Sequence, residues 1–278
     1  MKKILVPIDF SAHAINALGF AIEVAKKTEA ELILLHAVPI PFTPGKQTFE
    51  HYKESKDTYE KNAREQMAKL PNELPALDEV EYSSILRLGS VPDAIIGCAN
   101  SREVDMIVLG TKGRRAKEMR GSILQNITTS IIKLARCPVL AIPDKATFRP
   151  IKKIALAYDN GPISHMERLT GLREIANMFG AKLNVVMVMH NMAELEEGWE
   201  NPENAQELDA FLKEVEHTFH FKVKGDTETG INDFLEDKDI DLLAVIPHEH
   251  SLLQLQWHSG LTNKLALDCE LPLLSIHD

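Results

Sequence analysis

Three cysteines in 278 residues, Cys98, Cys137 and Cys269, form neither a C-x-x-C pair nor the even set that staples a small secreted domain. That scarcity predicts a reducing, cytoplasmic setting. No run approaches the ~18 apolar residues of a membrane span. The opening "MKKILVPIDF" is stopped by Asp9 after five apolar residues, short of the roughly 7–15 that a secretory leader needs, so no leader is predicted. Basic excess is missing too. A formal net charge of -10 is a poor match for a phosphate backbone, which excludes nucleic acid as the expected partner and gives no sign of a membrane-surface role. Also absent are a P-loop lysine motif and a paired-carboxylate signature, so no catalytic residues are assigned and the chain is not expected to be an enzyme.

What is present is apolar material in an order that repeats. Hydrophobic residues make up 44% of the chain, enough for two cores at this length. "KKILVPIDF" at 2–10 returns as "KKIALAYDN" at 152–160, with Lys, Lys, Ile and Asp in the same places. Three further pairs follow in the same order: "AELILLHAV" with "AKLNVVMVM", "EVDMIVLG" with "DIDLLAVI", and "CPVLAIPD" with "LPLLSIHD". Such Val/Ile/Leu runs without alternation predict strands buried on both faces, as in a parallel sheet covered by helices.

Helical patterns lie between the runs. Ser11 is a good N-cap, and Ile15, Leu18, Ile22 and Ala25 follow on one face. In the second copy Leu169, Leu172, Ile175, Ala176 and Phe179 form the stripe, with Gly180 placed as a left-handed C-terminal cap. Alternating strands and helices predict an α/β fold of two tandem open parallel sheets, with helices on both faces of each. The boundary falls in "PDKATFRP", giving domains 1–148 and 149–278, and the last strands, "PVLAIP" and "PLLSIH", are expected to pair the two domains within one chain. Charge divides unevenly: residues 1–148 carry 20 Lys+Arg against 18 Asp+Glu, net +2, and residues 149–278 carry 11 against 23, net -12. Much of that excess lies in 194–216, where Leu208, Phe211, Leu212 and Val215 predict a solvated amphipathic helix.

Ligands of open α/β sheets sit beyond the carboxyl ends of the strands, here after Asp9, after His36 to Val38 and after Gly110. "GTKGRRAKEMRGSIL", 110–124, occupies that place. Gly110 and Gly113 can bring bare backbone to an anion, and "SILQ" at 122–125 reads as a capping box that starts a helix with Leu124, Ile127, Ile131 and Leu134 on its buried face. The positive end of that helix suits a phosphate. Arg114, Arg115, Lys117 and Arg120 add charge or form a solvated loop. His36, ending a buried strand, reads as a hydrogen-bonded core residue rather than a base.

"ILVPIDFS", "LLHAV", "VDMIVLGTKG", Gly-Ser before a helix and "CPVLAIP" together resemble the universal stress protein family, over nearly all of 1–144 and more faintly over 151–278. The resemblance implies a tandem member with five-stranded parallel sheets, and a stress-associated function that in some members includes ATP binding. It places adenosine contacts on Pro7, Asp9 and Ala37, phosphate contacts on Gly110, Gly113, Gly121 and Ser122, and a further backbone contact on Ile123. The implied cofactor is ATP, in the first domain only.

Two departures from the family pattern bear on that site. Only seven residues, Arg114 to Arg120, separate Gly113 from Gly121, two fewer than in ATP-binding members, and a rival alignment puts Gln125-Asn126 at the Gly-Ser position. In the second domain Asp159 is kept, but Ala157 replaces Pro7 and "IPHEHSLLQLQWHSG" replaces the glycine loop, which predicts no nucleotide there. Its His248, His250 and His258 lack the H-E-x-x-H spacing, and no metal is expected. Two function classes stay open: an adenine-nucleotide binding module, and a dimerisation or interaction scaffold without ligand, with homodimer formation open in either.

Overall fold

The computed structural model of the chain describes residues 1–38, 49–111, 123–159, 161–163, 165–193, 203–247 and 270–276. The apolar runs are strands. The first half holds β1 (Lys3–Pro7), β2 (Glu31–Val38), β3 (Tyr82–Leu88), β4 (Met106–Thr111) and β5 (Val139–Pro143). The second holds β6 (Lys153–Ala157), β7 (Lys182–Met189), β8 (His217–Val223), β9 (Leu242–Val245) and β10 (Leu273–Ser275). The described helices are α1 (Ala12–Thr28), α2 (Phe49–Glu73), α3 (Val91–Arg102) and α4 (Ile123–Leu134), then α5 (Thr170–Phe179), α6 (Glu203–Leu212) and α7 (Thr227–Lys238). Ser11 caps α1 by accepting from Ala14 N–H at 3.3 Å, and Gly180 ends α5 at φ 59°.

The two predicted sheets are joined into one of ten strands, ordered β3-β2-β1-β4-β5-β10-β9-β6-β7-β8. Every pairing within a half is parallel, and the halves meet where Leu273, Leu274 and Ser275 run antiparallel to Ala141, Leu140 and Val139. Each of these last strands would otherwise expose a row of unpaired backbone groups, and each covers the other. Successive strand residues point to opposite faces. Val6, Leu34 and Val108 therefore pack with α1 and α2, while Leu5, Ile33 and Leu109 pack with α3 and α4. Both apolar layers continue unbroken into the second half, through Leu156 and Leu172 on one face and Leu243 and Phe234 on the other. On α4 the predicted stripe holds at Ile131, fully buried, but Leu134 is 56% exposed because the helix ends there and the chain turns into β5.

The segment between the halves is held from both sides. Asn16 Nδ2 donates to the Pro143 and Ala146 carbonyls at 3.2 and 2.9 Å, and Arg149 Nε meets Asp241 Oδ1 at 2.8 Å. Phe148 lies between Phe20 and Phe179, with ring centroids 5.4 and 6.4 Å away. The repeated Lys-Lys and Asp residues turn out to be one device used twice. Lys2 and Lys3 N–H donate to Asp105 Oδ2 at 2.6 and 2.9 Å, and Lys3 Nζ donates to the Arg102 carbonyl at 2.9 Å. Lys152 and Lys153 N–H donate to Asp241 Oδ2 at 2.8 and 2.9 Å, and Lys153 Nζ donates to the Lys238 carbonyl at 2.8 Å. In each half an aspartate ties the start of the central strand to its neighbour, and a lysine ends the preceding helix.

Two outcomes follow. Asp241→Ala lowers unfolding free energy more than Asp105→Ala, because Asp241 also holds Arg149 and its side chain is 10% exposed, whereas Asp105 is exposed. About 1–3 kcal/mol is expected for Asp241 and about 1 for Asp105, read from urea midpoints at constant slope. On the edge strand β8, His220 Nε2 lies 2.9 Å from Thr218 Oγ1 and 3.2 Å from Asn184 Oδ1. Burial first, then Lys238, Lys182 and Lys222, hold its pKa below the ordinary value. The unfolded chain therefore binds the proton more readily, so stability falls as pH drops below about 6.5. Denaturant curves between pH 7 and 5 should show this slope, and His220→Gln should flatten it.

Candidate functional site

Beyond the carboxyl ends of β1, β2 and β4 lies a cavity of about 430 Å³. β1 and β4 are the neighbours at which the strand order reverses, the position where open α/β sheets take ligands. Its apolar wall comes from the α3–α4 face of the sheet and those helices: Leu35, Leu109, Ile95 and Ile127. Its polar groups come from the turn after β1, from β2 and from the helices: Asp9, Ser11, His13, His36, Tyr59 and Thr128. Such a space accepts a flat apolar body with hydrogen-bonding edges.

The turn that carries Asp9 is tight. Asp9 Oδ1 accepts from Ser11 N–H at 3.0 Å, and Phe10 between them adopts φ 62°, a left-handed conformation that bulky residues rarely take. His36 reaches across from β2, with Nδ1 2.6 Å from the Ile8 carbonyl oxygen and its ring 4.7 Å from that of Phe10. The hydrogen bond read for it from sequence is present, but the side chain is half-buried and lines the cavity rather than lying in the core. Gly110 has a packing role besides any contact with ligand: a Cβ built there would overlap the His13 carbonyl and stand 3.1 Å from Ala14 N. The missing side chain lets the first turn of α1 sit directly against the end of β4.

Of the residues singled out in the sequence, Pro7, Asp9, Ala37 and Gly110 line the cavity together, although they lie on three strand ends. Ile123 begins α4, and Ile127, one turn further on, lines the cavity with Thr128. Gly113, Gly121 and Ser122 lie outside the described residues, as do Arg114, Arg115, Lys117, Arg120 and the histidines at 248, 250 and 258. Among the described residues no group of three or more His, Cys, Asp and Glu side chains is placed to hold a metal. Sequence reasoning missed Ser11 and His13 as lining residues, although they directly follow the strand that carries Asp9. It also missed Tyr59, Val91 and Ile95, for which helix periodicity carries no signal of a cavity.

Strand register identifies the corresponding positions of the second half. Leu35 and Val186 occupy matching places, as do Met106 and Leu242, so His36 corresponds to Met187, Ala37 to Val188 and Gly110 to Ile246. Ile246 is buried in the core together with Tyr158, Ile163 and Leu169. Where α1 begins three residues after Asp9, α5 begins eleven after Asp159, behind a 3-10 turn at Met166–Leu169. Ile246 thus carries a buried, branched side chain at the register position where Gly110 has none.

Residues 1–143 match the family model described as "Universal stress protein family". A universal stress protein of Methanocaldococcus jannaschii is 30% identical over 145 residues, 51% of this chain and 81% of its own length. Another, from Thermus aquaticus, is 33% identical over 144 residues, covering 51% of this chain and 98% of its own. The crystal structure of a universal stress protein from Archaeoglobus fulgidus shares the fold of both halves, with a TM-score of 0.75, 15% identity, and 98% of this chain and 97% of that one covered. A shared strand order alone would leave the family open, but a match across the entire first half, cavity-lining strand ends included, settles it: the chain belongs to the universal stress protein family.

Proposed function

We propose that the cavity of the first half binds the nucleoside end of an adenine nucleotide, ATP, and that the chain is a non-catalytic, stress-associated, cytoplasmic binding protein of two domains, 1–148 and 149–278. The observation that carries this reading is convergence. Pro7, Asp9, Ala37 and Gly110, the positions to which family resemblance assigns nucleotide contacts, line one cavity of about 430 Å³, within the usual range of small-molecule sites. Its apolar wall suits a base. The second oxygen of Asp9, with no partner among the described residues, suits a ribose hydroxyl. The phosphates would then lie toward Gly113, Gly121, Ser122 and the start of α4 at Ile123, where backbone N–H groups and the helix dipole favour an anion. In the second half a buried branched residue, Ile246, stands at the position of Gly110. The net charge of -12 on that half also disfavours anions.

A scaffold without ligand is the second reading, and two observations favour it. Gly110 is required by the packing of α1, and the aspartate hydrogen bond of the Asp9 turn recurs in the second half, where Asp159 Oδ1 accepts from Gly161 N–H at 2.9 Å. Both residues therefore have structural reasons to be present. Calorimetry of the full chain decides between the two. The nucleotide reading expects saturable ATP binding near micromolar, about -8 kcal/mol, at one site per chain rather than two, with no hydrolysis on prolonged incubation. Gly113→Val should weaken binding at least tenfold by adding a branched side chain where backbone must approach, while Arg115→Ala changes little. No heat from the wild type, or equal affinity in wild type and Gly113→Val, would favour the scaffold.

A further inference from the structure

We infer that His36 is a positioning residue for this site: it ties the turn carrying Asp9 to strand β2 and so sets the spacing between Asp9 and Ala37. The inference rests on the reading of the cavity as a nucleotide site. The turn is strained at Phe10, whose φ of 62° is steric trouble for an aromatic residue, and such strain persists only where neighbours over-determine it. Three contacts do so. Ser11 N–H donates to Asp9 Oδ1 at 3.0 Å, the Phe10 ring rests against the His36 imidazole at 4.7 Å, and His36 Nδ1 lies 2.6 Å from the Ile8 carbonyl oxygen. A carbonyl only accepts, so Nδ1 carries the hydrogen and donates. Two of the three contacts therefore come from one side chain on the neighbouring strand.

The second half carries no histidine at the register position of His36. Met187 stands there, and Tyr158 Oη donates to the Gly161 carbonyl at 2.7 Å. What His36 adds in the first half is attachment to β2. Ala37 is the next residue on that strand and lines the same cavity as Asp9. One imidazole thus joins two nucleoside contacts that come from different strands, and a site works only if such groups are held to within about half an ångström.

The test uses the full chain with ATP as the probe. His36→Met introduces the residue that the second half carries in the same register, so cooperative melting is expected to survive. ATP affinity should fall about tenfold. His36→Asn, whose amide can donate from near the Nδ1 position, should recover most of it. On an Asp9→Ala background, His36→Met should add less than a further twofold, because the group it positions is gone. Unchanged affinity in folded His36→Met, or an equal tenfold loss on the Asp9→Ala background, overturns the inference while the nucleotide reading stands. Absence of ATP heat from the wild type overturns both. Should His36→Met not melt cooperatively, His36→Gln, with its donor moved off the Nδ1 position, carries the same comparison against His36→Asn.

Discussion

At the end of β4 the chain has no side chain, and the shape of the cavity end of the first half depends on that. With Gly110 bare, the His13 carbonyl and the Ala14 N–H of α1 come within contact of strand backbone. A helix that starts there can be capped by Ser11, and its start fixes the turn that carries Asp9. Where the second half has Ile246, the same helix begins eight residues later relative to its aspartate and the end of the sheet fills with apolar side chains. A branched side chain thus stands in one half where the other has a bare glycine beside its cavity.

The two halves nevertheless form one body. Antiparallel pairing of β5 with β10 covers two strand edges at once, both apolar layers cross the junction, and the connecting segment is pinned by Asn16 on one side and Arg149 on the other. A family domain with a free last strand exposes an aggregation-prone edge. Here the second half supplies the cover within the same chain. That task requires a sheet, helices on both faces and a matching last strand, and it requires nothing at the carboxyl ends of the strands.

Much of this was legible in the sequence because it depends on patterns that are local. Unbroken Val/Ile/Leu runs marked the strands, Ser11 and Gly180 marked a helix start and a helix end, and the internal repeat identified the pairing partner of the last strand. The cavity was half legible, since residues following strand ends can be named from strand positions alone. Tyr59 and Ile95 could not be, because a helix crossing above a sheet shows its period but not its neighbour. The left-handed Phe10 left no trace, as an aromatic residue is among the last that propensity would place there. The late start of α5, by contrast, was legible, because its apolar stripe begins only at Leu169.

Similarity between the halves also proves a poor guide to function, for a physical reason. The residues repeated most faithfully, two lysines and an aspartate at the base of each sheet, hold strand to strand and cap a helix. The aspartates of the β1 and β6 turns repeat because each closes the same backbone turn. Selection for folding acts on both copies and keeps such residues in both. The informative positions are therefore the mismatched ones, Pro7 against Ala157, His36 against Met187 and Gly110 against Ile246, and all three first-half members line the cavity.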